Sequence, residues 1–196
     1  MADFQVNDKV VHPQYGGGYV AGIEAIAVGG DSIECLKISC VARGRKIFVP
    51  RGSVELSAIR PPLSRRRFRE LRKVLGSPPE ELNSNFNRRM KDVKCKLETG
   101  DPMQVGEVVR DLYPRWAGHA LSSSDQRIFE TGRDLLASEI ALILDLSYDE
   151  ATTYLEQQMA NGSTFTKNNS TKSITSTKNT STKNTPAKTN GKTATR

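Results

Sequence analysis

The sequence predicts an α+β protein with a small N-terminal β barrel of the SH3-like or Tudor-like type, an all-helical domain and a disordered basic tail. Short strand-like segments separated by glycine turns fill residues 1–60. Apolar residues recur with the helical period of about 3.6 residues through residues 61–160. Ser, Thr, Asn and Lys dominate residues 161–196. These three ranges are the predicted domains.

Residues 1–60 are predicted to form short antiparallel strands. Glycine-rich turns at residues 16–18 and 29–31 separate apolar segments, which is typical of hairpins. A first apolar segment contains Val10 and Val11. The predicted strands after it run from Tyr19 to Val28, from Ile33 to Val41 and from Ile47 to Val49. A domain of about 60 residues is only marginally stable alone, so we expect it to dock on its neighbour.

Capping residues mark the predicted helices of the second domain. Ser64 fits the N-cap of a helix that runs to about Leu75, and Ser147 with Glu150 has the spacing of a capping box. Between them, helices are predicted to start at Asn85, after Asp101 and within residues 122–125. The last helix is expected to be short and to end near Met159, before the tail.

The formal charge of +7 is distributed in blocks. Residues 61–100 hold eleven basic and five acidic side chains, and residues 101–160 hold four basic and eleven acidic ones. Residues 161–196 hold seven basic and no acidic residues, and their composition cannot bury enough apolar surface to fold. A basic block suits a polyanion, whereas the acidic block is more simply a solvated helical face.

Several functional classes have little support in the sequence. Cys35, Cys40 and Cys95 lack metal-ligand spacing, which indicates reduced thiols in a cytoplasm. His12 and His119 lie in different predicted domains without a nucleophile pattern, so we expect no catalysis, no metal, no cofactor and no small-molecule substrate. No apolar run approaches the roughly 20 residues that span a bilayer, and no membrane contact is expected.

Residues 85–112 carry the clearest functional pattern, a basic helix followed by a turn and a second helix. An apolar stripe at helical spacing comprises Phe86, Met90, Val93 and Leu97, and most of the cations lie off it. Those cations include Arg88, Arg89, Lys91 and Lys94. Such a helix can bind a phosphate backbone. Two simpler readings stay open: Phe86 belongs to the core, and the cations form an ordinary solvated face.

These residues resemble the CarD family of bacterial transcription regulators. The family's helical domain has an Asn-Trp-x-Arg-Arg start, a Ser/Thr-Gly-Asp turn and a Val-x-Glu-Val-Val-Arg-Asp-Leu helix, which match residues 85–89, 99–101 and 105–112. Its N-terminal domain resembles residues 4–13 here, with further matches at Tyr15-Gly16, Ile23-Glu24, Val49-Pro50 and Ile59-Arg60. The resemblance covers about residues 3–146 and leaves the tail outside.

The resemblance implies DNA contacts from the helical domain. The family's tryptophan, which wedges against promoter DNA, is Phe86 here, and a basic pair before the long helix is reduced to Arg127 because Gln126 replaces its first member. The implied DNA-binding residues are Phe86, Arg88, Arg89, Lys91, Lys94 and Arg127. Trp116 does not match the wedge position and is expected to pack or to lie at a rim.

The resemblance also implies that the β domain binds the β subunit of RNA polymerase. Addition of a strand to an exposed sheet edge is the physical route, and the matching strand begins at Lys46. The implied polymerase-binding residues are Ile47, Phe48, Val49 and Pro50, with Phe48 the most favoured. The simpler reading is that Ile47 and Val49 are core and Phe48 covers the barrel.

The expected function is therefore regulation of transcription by a protein that stabilises the promoter open complex and is a monomer away from the polymerase. Two alternatives remain. The protein is a polymerase-binding adaptor with little DNA contact, as Phe86 and Gln126 would favour. Or it is a general DNA-binding protein of the nucleoid that acts through its lysine-rich tail.

Overall fold

The computed structural model describes residues 4–172, with side chains except at position 28 and from 164 onward. It confirms the α+β class: a four-stranded antiparallel sheet, curled into a half-barrel, precedes five helices. The strands are β1 (Lys9–His12), β2 (Gly16–Val28), β3 (Asp31–Cys40) and β4 (Lys46–Pro50). The helices are α1 (Arg65–Leu75), α2 (Phe86–Glu98), α3 (Pro102–Ala117), α4 (Ser123–Leu144) and α5 (Tyr148–Lys172).

The sheet has the order β1-β2-β3-β4, so each strand pairs with its neighbour in sequence. A bulge between Val20 and Gly22 interrupts the β2–β3 pairing. The core of the half-barrel contains Val10, Val20, Leu36, Ile38 and Val49, together with Val54 and Ile59 from the segment after β4. The half-barrel therefore buries one face against its own C-terminal segment.

The predicted helix starts are confirmed by side-chain caps. Ser64, Asn85, Asp101 and Ser122 each accept a hydrogen bond from a backbone N–H in the first turn of the following helix. Ser147 and Glu150 form the capping box: the Ser147 N–H donates to Glu150 Oε2 at 2.9 Å. That backbone hydrogen bond, and a second from the Ser147 hydroxyl, lower the pKa of Glu150.

Helix α3 is central to the helical core, because it packs against α4, α1 and α2. Gly132 of α4 lies against Val109 of α3 and Leu97 of α2, where a Cβ atom would come within 2.6 Å of Val109 Cγ2. Gly106 similarly lets α3 approach Leu71 of α1. Small residues at these two crossings allow close packing of the helices.

Helix α5 is longer than the sequence predicts and extends to Lys172, past the expected start of the tail at residue 161. Gly162 packs against the end of α1: a Cβ there would lie 2.7 Å from the Ser77 carbonyl oxygen. Contact with a preceding element thus continues beyond Met159, and a helix once formed extends at little cost. The rest of the expected tail, residues 173–196, lies outside the described residues.

The sheet docks directly on α4. The Gly17 N–H donates to the Ser138 hydroxyl at 2.8 Å. The Arg60 guanidinium donates to both carboxylate oxygens of Glu139, at 2.7 and 2.9 Å, and the Leu63 N–H donates to the same carboxylate at 2.9 Å. This interface fixes the orientation of the sheet relative to the helices.

Three further features of the described residues are their cysteines, their potential metal ligands and the apolar character of their helices. Cys35 and Cys40 are buried free thiols, and Cys95 is an exposed one. Within residues 4–172, no cluster of His, Cys, Asp and Glu side chains is arranged to hold a metal ion. Among the helices described, none combines the length and apolar character needed to cross a membrane.

Replacing Gly17 with alanine is expected to destabilise the protein, because the new Cβ would lie 2.6 Å from the Ser138 carbonyl oxygen. Backbone atoms cannot yield as a side chain can, so the free energy of unfolding should fall by about 2 kcal/mol or more. Gly22→Ala is the matched control in the same strand, because no atom lies within 4 Å of its Cβ position. Urea denaturation measures both; equal losses would contradict the docking described.

Candidate nucleic-acid interface

Phe86 is the first residue of α2 and its side chain is 46 % exposed. The Asn85 side chain caps this helix by accepting from the Arg88 N–H at 3.2 Å. Val93 is buried, and Met90 packs against the core one turn after Phe86. The apolar stripe therefore enters the core only after its first residue, and the reading of Phe86 as a core residue does not hold.

Three of the expected phosphate ligands lie on the outer face of α2. Arg88, Lys91 and Lys94 are exposed and follow one another at three-residue spacing, about 4.5 Å of helix rise. Among the described residues, no carboxylate forms an ion pair with any of them. Their charges are therefore available to an external anion.

Arg89 is buried, whereas a phosphate ligand must be exposed to solvent. Its side chain is buried and forms an ion pair with Asp125, with Nη2 3.2 Å from Oδ2. Nη1 also donates to the Asn83 carbonyl oxygen at 2.9 Å. The Asp125 carboxylate accepts a further hydrogen bond from the Ser122 hydroxyl. The role expected for Arg89 is thus corrected: it positions α2 on α4 and has no face open to DNA.

The Arg89–Asp125 pair also places Arg127 near the start of α2. Leu97 lies beside Gly132, so α2 and α4 run in the same direction and begin at the same end of the domain. Arg127 is exposed in the first turns of α4, while the neighbouring Gln126 donates to Glu130 at 2.9 Å. Phe86, Arg88 and Arg127 therefore lie at the same end of the helical domain, although Arg127, two residues after Asp125, leaves α4 on a different face from the one that contacts α2.

Trp116, near the C-terminal end of α3, has a packing role. Its ring lies 5.1 Å from that of Phe129 and 5.7 Å from that of Tyr113, measured between centroids. It also lines a cavity of ≈ 160 Å³ with Leu121 and His119. Its half-buried position agrees with the expected packing or rim role.

The Arg110-Asp111 pair of α3 holds the loop that leads to Asn85. Arg110 donates from Nε to Asp111 at 2.7 Å and from Nη1 to the Ser77 hydroxyl at 2.8 Å, and the Glu80 N–H donates to the same carboxylate at 2.9 Å. Burial alone would lower the pKa of Arg110, but the hydrogen bond and charge of Asp111, together with the charges of Glu80 and Glu107, outweigh it and raise that pKa. Arg110 and Asp111 of the 105–112 motif therefore have a structural role: they hold the loop between α1 and α2 against α3.

The strand expected to bind polymerase, β4, is an edge strand paired only with β3 within the described sheet. Val49 is buried and Ile47 packs against the sheet core, whereas Phe48 is 44 % exposed on the opposite face. The Lys37 ammonium lies 5.8 Å from the Phe48 ring centroid. Pro50 ends the strand, half-buried. Of these four residues, Phe48 is the most exposed, while Ile47 and Val49 pack into the core on the other face of the strand.

Sequence reasoning missed the residues that position this interface. The sequence places Asp125 among the cap residues of a helix, and nothing in it links Asp125 to an arginine 36 positions earlier. It likewise presents Arg110 only as part of the 105–112 motif. The alternation of Ile47, Phe48 and Val49 did carry a signal, because side chains alternate between the faces of a strand.

Comparison with known proteins agrees with this architecture. Residues 4–63 match the family described as CarD-like/TRCF RID domain, and residues 70–156 match the family described as CarD, C-terminal domain. The chain therefore belongs to the CarD family, a class of transcription factors that act through interaction with RNA polymerase.

A relative in Bacillus subtilis (strain 168) carries the description "Putative transcription factor YdeB". The two chains are 22 % identical over 151 residues, which cover 77 % of this chain and 99 % of the relative. The match spans both the sheet and the helical domain, so the similarity concerns the two-domain arrangement as a whole.

The adjacent arginines of α2 are expected to respond differently to substitution. Arg89→Ala leaves the Asp125 carboxylate buried and unpaired, so the free energy of unfolding should fall by about 3 kcal/mol. Arg88→Ala removes an exposed side chain and should change it by less than about 0.5 kcal/mol. Chemical denaturation of both variants measures the difference; a larger loss for Arg88→Ala would refute the assignment of these two side chains.

Proposed function

We propose that this protein regulates transcription by holding the β subunit of RNA polymerase with its sheet while its helical domain stabilises the promoter open complex. Phe86 is proposed to prop the minor groove at the upstream edge of the melted DNA. Arg88, Lys91, Lys94 and Arg127 are proposed to bind phosphates there. In this proposal the protein acts by binding one state of the promoter better than the other, which requires no catalytic step.

The observation that carries this proposal is the exposed Phe86 ring beside unpaired cations. The Arg89 guanidinium lies 5.6 Å from the centroid of the Phe86 ring, and Phe86 still remains 46 % exposed. Exposed apolar side chains of this kind can wedge between base steps in a minor groove. Arg88 and Arg127 lie at the same end of the domain, and both side chains are exposed to an approaching phosphate backbone. Such contacts carry little base information, so low sequence specificity is expected.

The sheet supports the polymerase contact through Phe48 and the free edge of β4. An extended segment of the polymerase can add to this edge through backbone hydrogen bonds, with Phe48 as an apolar anchor. Because the sheet is fixed on α4, binding at one site brings the other to its target at high effective concentration. Weak DNA contacts can then suffice.

One alternative has structural support: an adaptor that binds polymerase with little DNA contact. Arg89 is not available to phosphate, and Gln126 is neutral and hydrogen-bonded to Glu130. The number of DNA ligands is thus smaller than the motif implies. The other alternative, binding through the tail of residues 161–196, depends largely on residues 173–196, which lie outside the described part of the chain.

The lifetime of the promoter open complex, measured with the cognate bacterial polymerase, tests the wedge. Phe86→Ala should shorten the lifetime about three- to tenfold, the factor given by an aromatic contact of about 0.7–1.4 kcal/mol. Leu56→Ala is the control, because Leu56 is an 88 % exposed apolar side chain on the other domain. An unchanged lifetime with Phe86→Ala would favour the adaptor, and loss only on deletion of residues 173–196 would favour the tail.

Polymerase binding is expected to depend on Phe48. Phe48→Ser should weaken affinity for the β subunit about tenfold, as loss of an interface anchor does. Val6→Ser is the matched control: Val6 is 49 % exposed and lies beside β1, at the other edge of the sheet. Equal affinities of the two variants, measured by surface plasmon resonance, would show that β4 is not the polymerase-binding edge.

A further inference from the structure

Helix α1 presents a row of cations that the proposed function does not use. Phe68, Leu71 and Leu75 form its buried face. The exposed face bears Arg65, Arg69 and Lys73, which are four residues apart and therefore stack along one side of the helix. We call these three residues the α1 row. With about 1.5 Å of rise per residue, the row is about 12 Å long.

The charges of the α1 row have no partner among the described residues. The single acidic residue of α1, Glu70, lies 3.3 Å from Arg67 and 3.7 Å from Arg66, on the flank of the row. The Arg72 guanidinium lies 6.0 Å from the Tyr154 ring centroid. Flanking cations thus have partners within the protein, whereas those of the row face solvent.

This arrangement opposes helix stability. Like charges four residues apart repel each other on a helix surface. Arg65, Arg66 and Arg67 also occupy the first turn, which contains no acidic residue, and the helix dipole disfavours cations there. A bound polyanion would offset both the repulsion between the cations and their unfavourable interaction with the helix dipole. It would contact the three cations of the row and the positive end of the helix together.

The α1 row is separate from the cations of α2. Helix α1 packs on α3 at Gly106, whereas α2 approaches a different side of α3 through the ion pair of Lys96 with Glu107, 2.6 Å apart. The two basic helices therefore flank α3 and present two distinct surfaces.

We propose that the α1 row binds the phosphate backbone of double-stranded DNA, as a second contact beside that of α2. The row is linear and its cations are about 6 Å apart, while phosphates follow each strand at about 3.4 Å along the duplex axis. The phosphates of a backbone are therefore close enough together for each cation of the row to lie near one without reading its bases. The choice of DNA as the polyanion rests on the proposed function, which brings promoter DNA to this domain.

Binding of the full chain to a 30-base-pair duplex, followed by fluorescence anisotropy over a range of salt, tests the proposal. The triple variant Arg65→Gln, Arg69→Gln and Lys73→Gln should reduce the slope of log affinity against log salt by about 2 to 3, with affinity at 0.1 M salt at least tenfold lower. Its thermal unfolding midpoint should not fall, because glutamine favours helix and the repulsion is removed.

A matched control removes the same charge from exposed positions elsewhere, through Arg45→Gln, Lys46→Gln and Arg115→Gln. If the α1 and control variants have the same slope, the proposal is overturned. It is also overturned if the α1 variant keeps the DNA slope but loses affinity for polymerase, which would assign the row to an acidic protein surface. A third triple variant, Arg88→Gln, Lys91→Gln and Lys94→Gln, separates the two proposals: if it alone leaves the slope unchanged, the α2 contact fails and the α1 row stands.

Discussion

The buried carboxylate of Glu139 joins the two halves of the molecule. It accepts two hydrogen bonds from the Arg60 guanidinium and one from the Leu63 N–H. The Arg60 backbone in turn pairs with Val11 of β1, with N···O distances of 2.7 and 3.1 Å. One side chain of α4 therefore holds the last residues of the β domain and, through them, the edge of the sheet. A buried carboxylate without these partners would be strongly unfavourable, so the docked arrangement is specific.

The docking of the sheet on α4 fixes the two proposed binding surfaces relative to each other. The sheet that carries the β4 edge and the start of α2 are both anchored to α4, the sheet through Gly17 of β2 and Ser138 and α2 through the Arg89–Asp125 pair. A rigid connection loses little entropy when the second contact follows the first. The proposed function uses this property, since neither Phe86 nor Phe48 offers a large interface alone.

The sequence predicted those features that depend on short-range interactions. The caps at Ser64, Asn85 and Asp101 were identified because a side chain and the N–H it accepts from lie within three residues. The exposure of Phe86 and the burial of Arg89 could not be identified in this way. Both depend on how far the core extends along α2 and on Asp125, which lies on another helix. The length of α5 likewise depends on packing of Gly162 against α1, a contact that composition does not reveal.

The most direct test of the central claim is photo-crosslinking from position 86 in a promoter open complex, with p-benzoylphenylalanine in place of Phe86. The account predicts that the crosslink forms to DNA at the upstream edge of the melted region and only when polymerase is present. The same probe at Leu56, an 88 % exposed position in the β domain, supplies the background level. A crosslink from position 86 to polymerase alone, or DNA labelling no higher than from position 56, would contradict it.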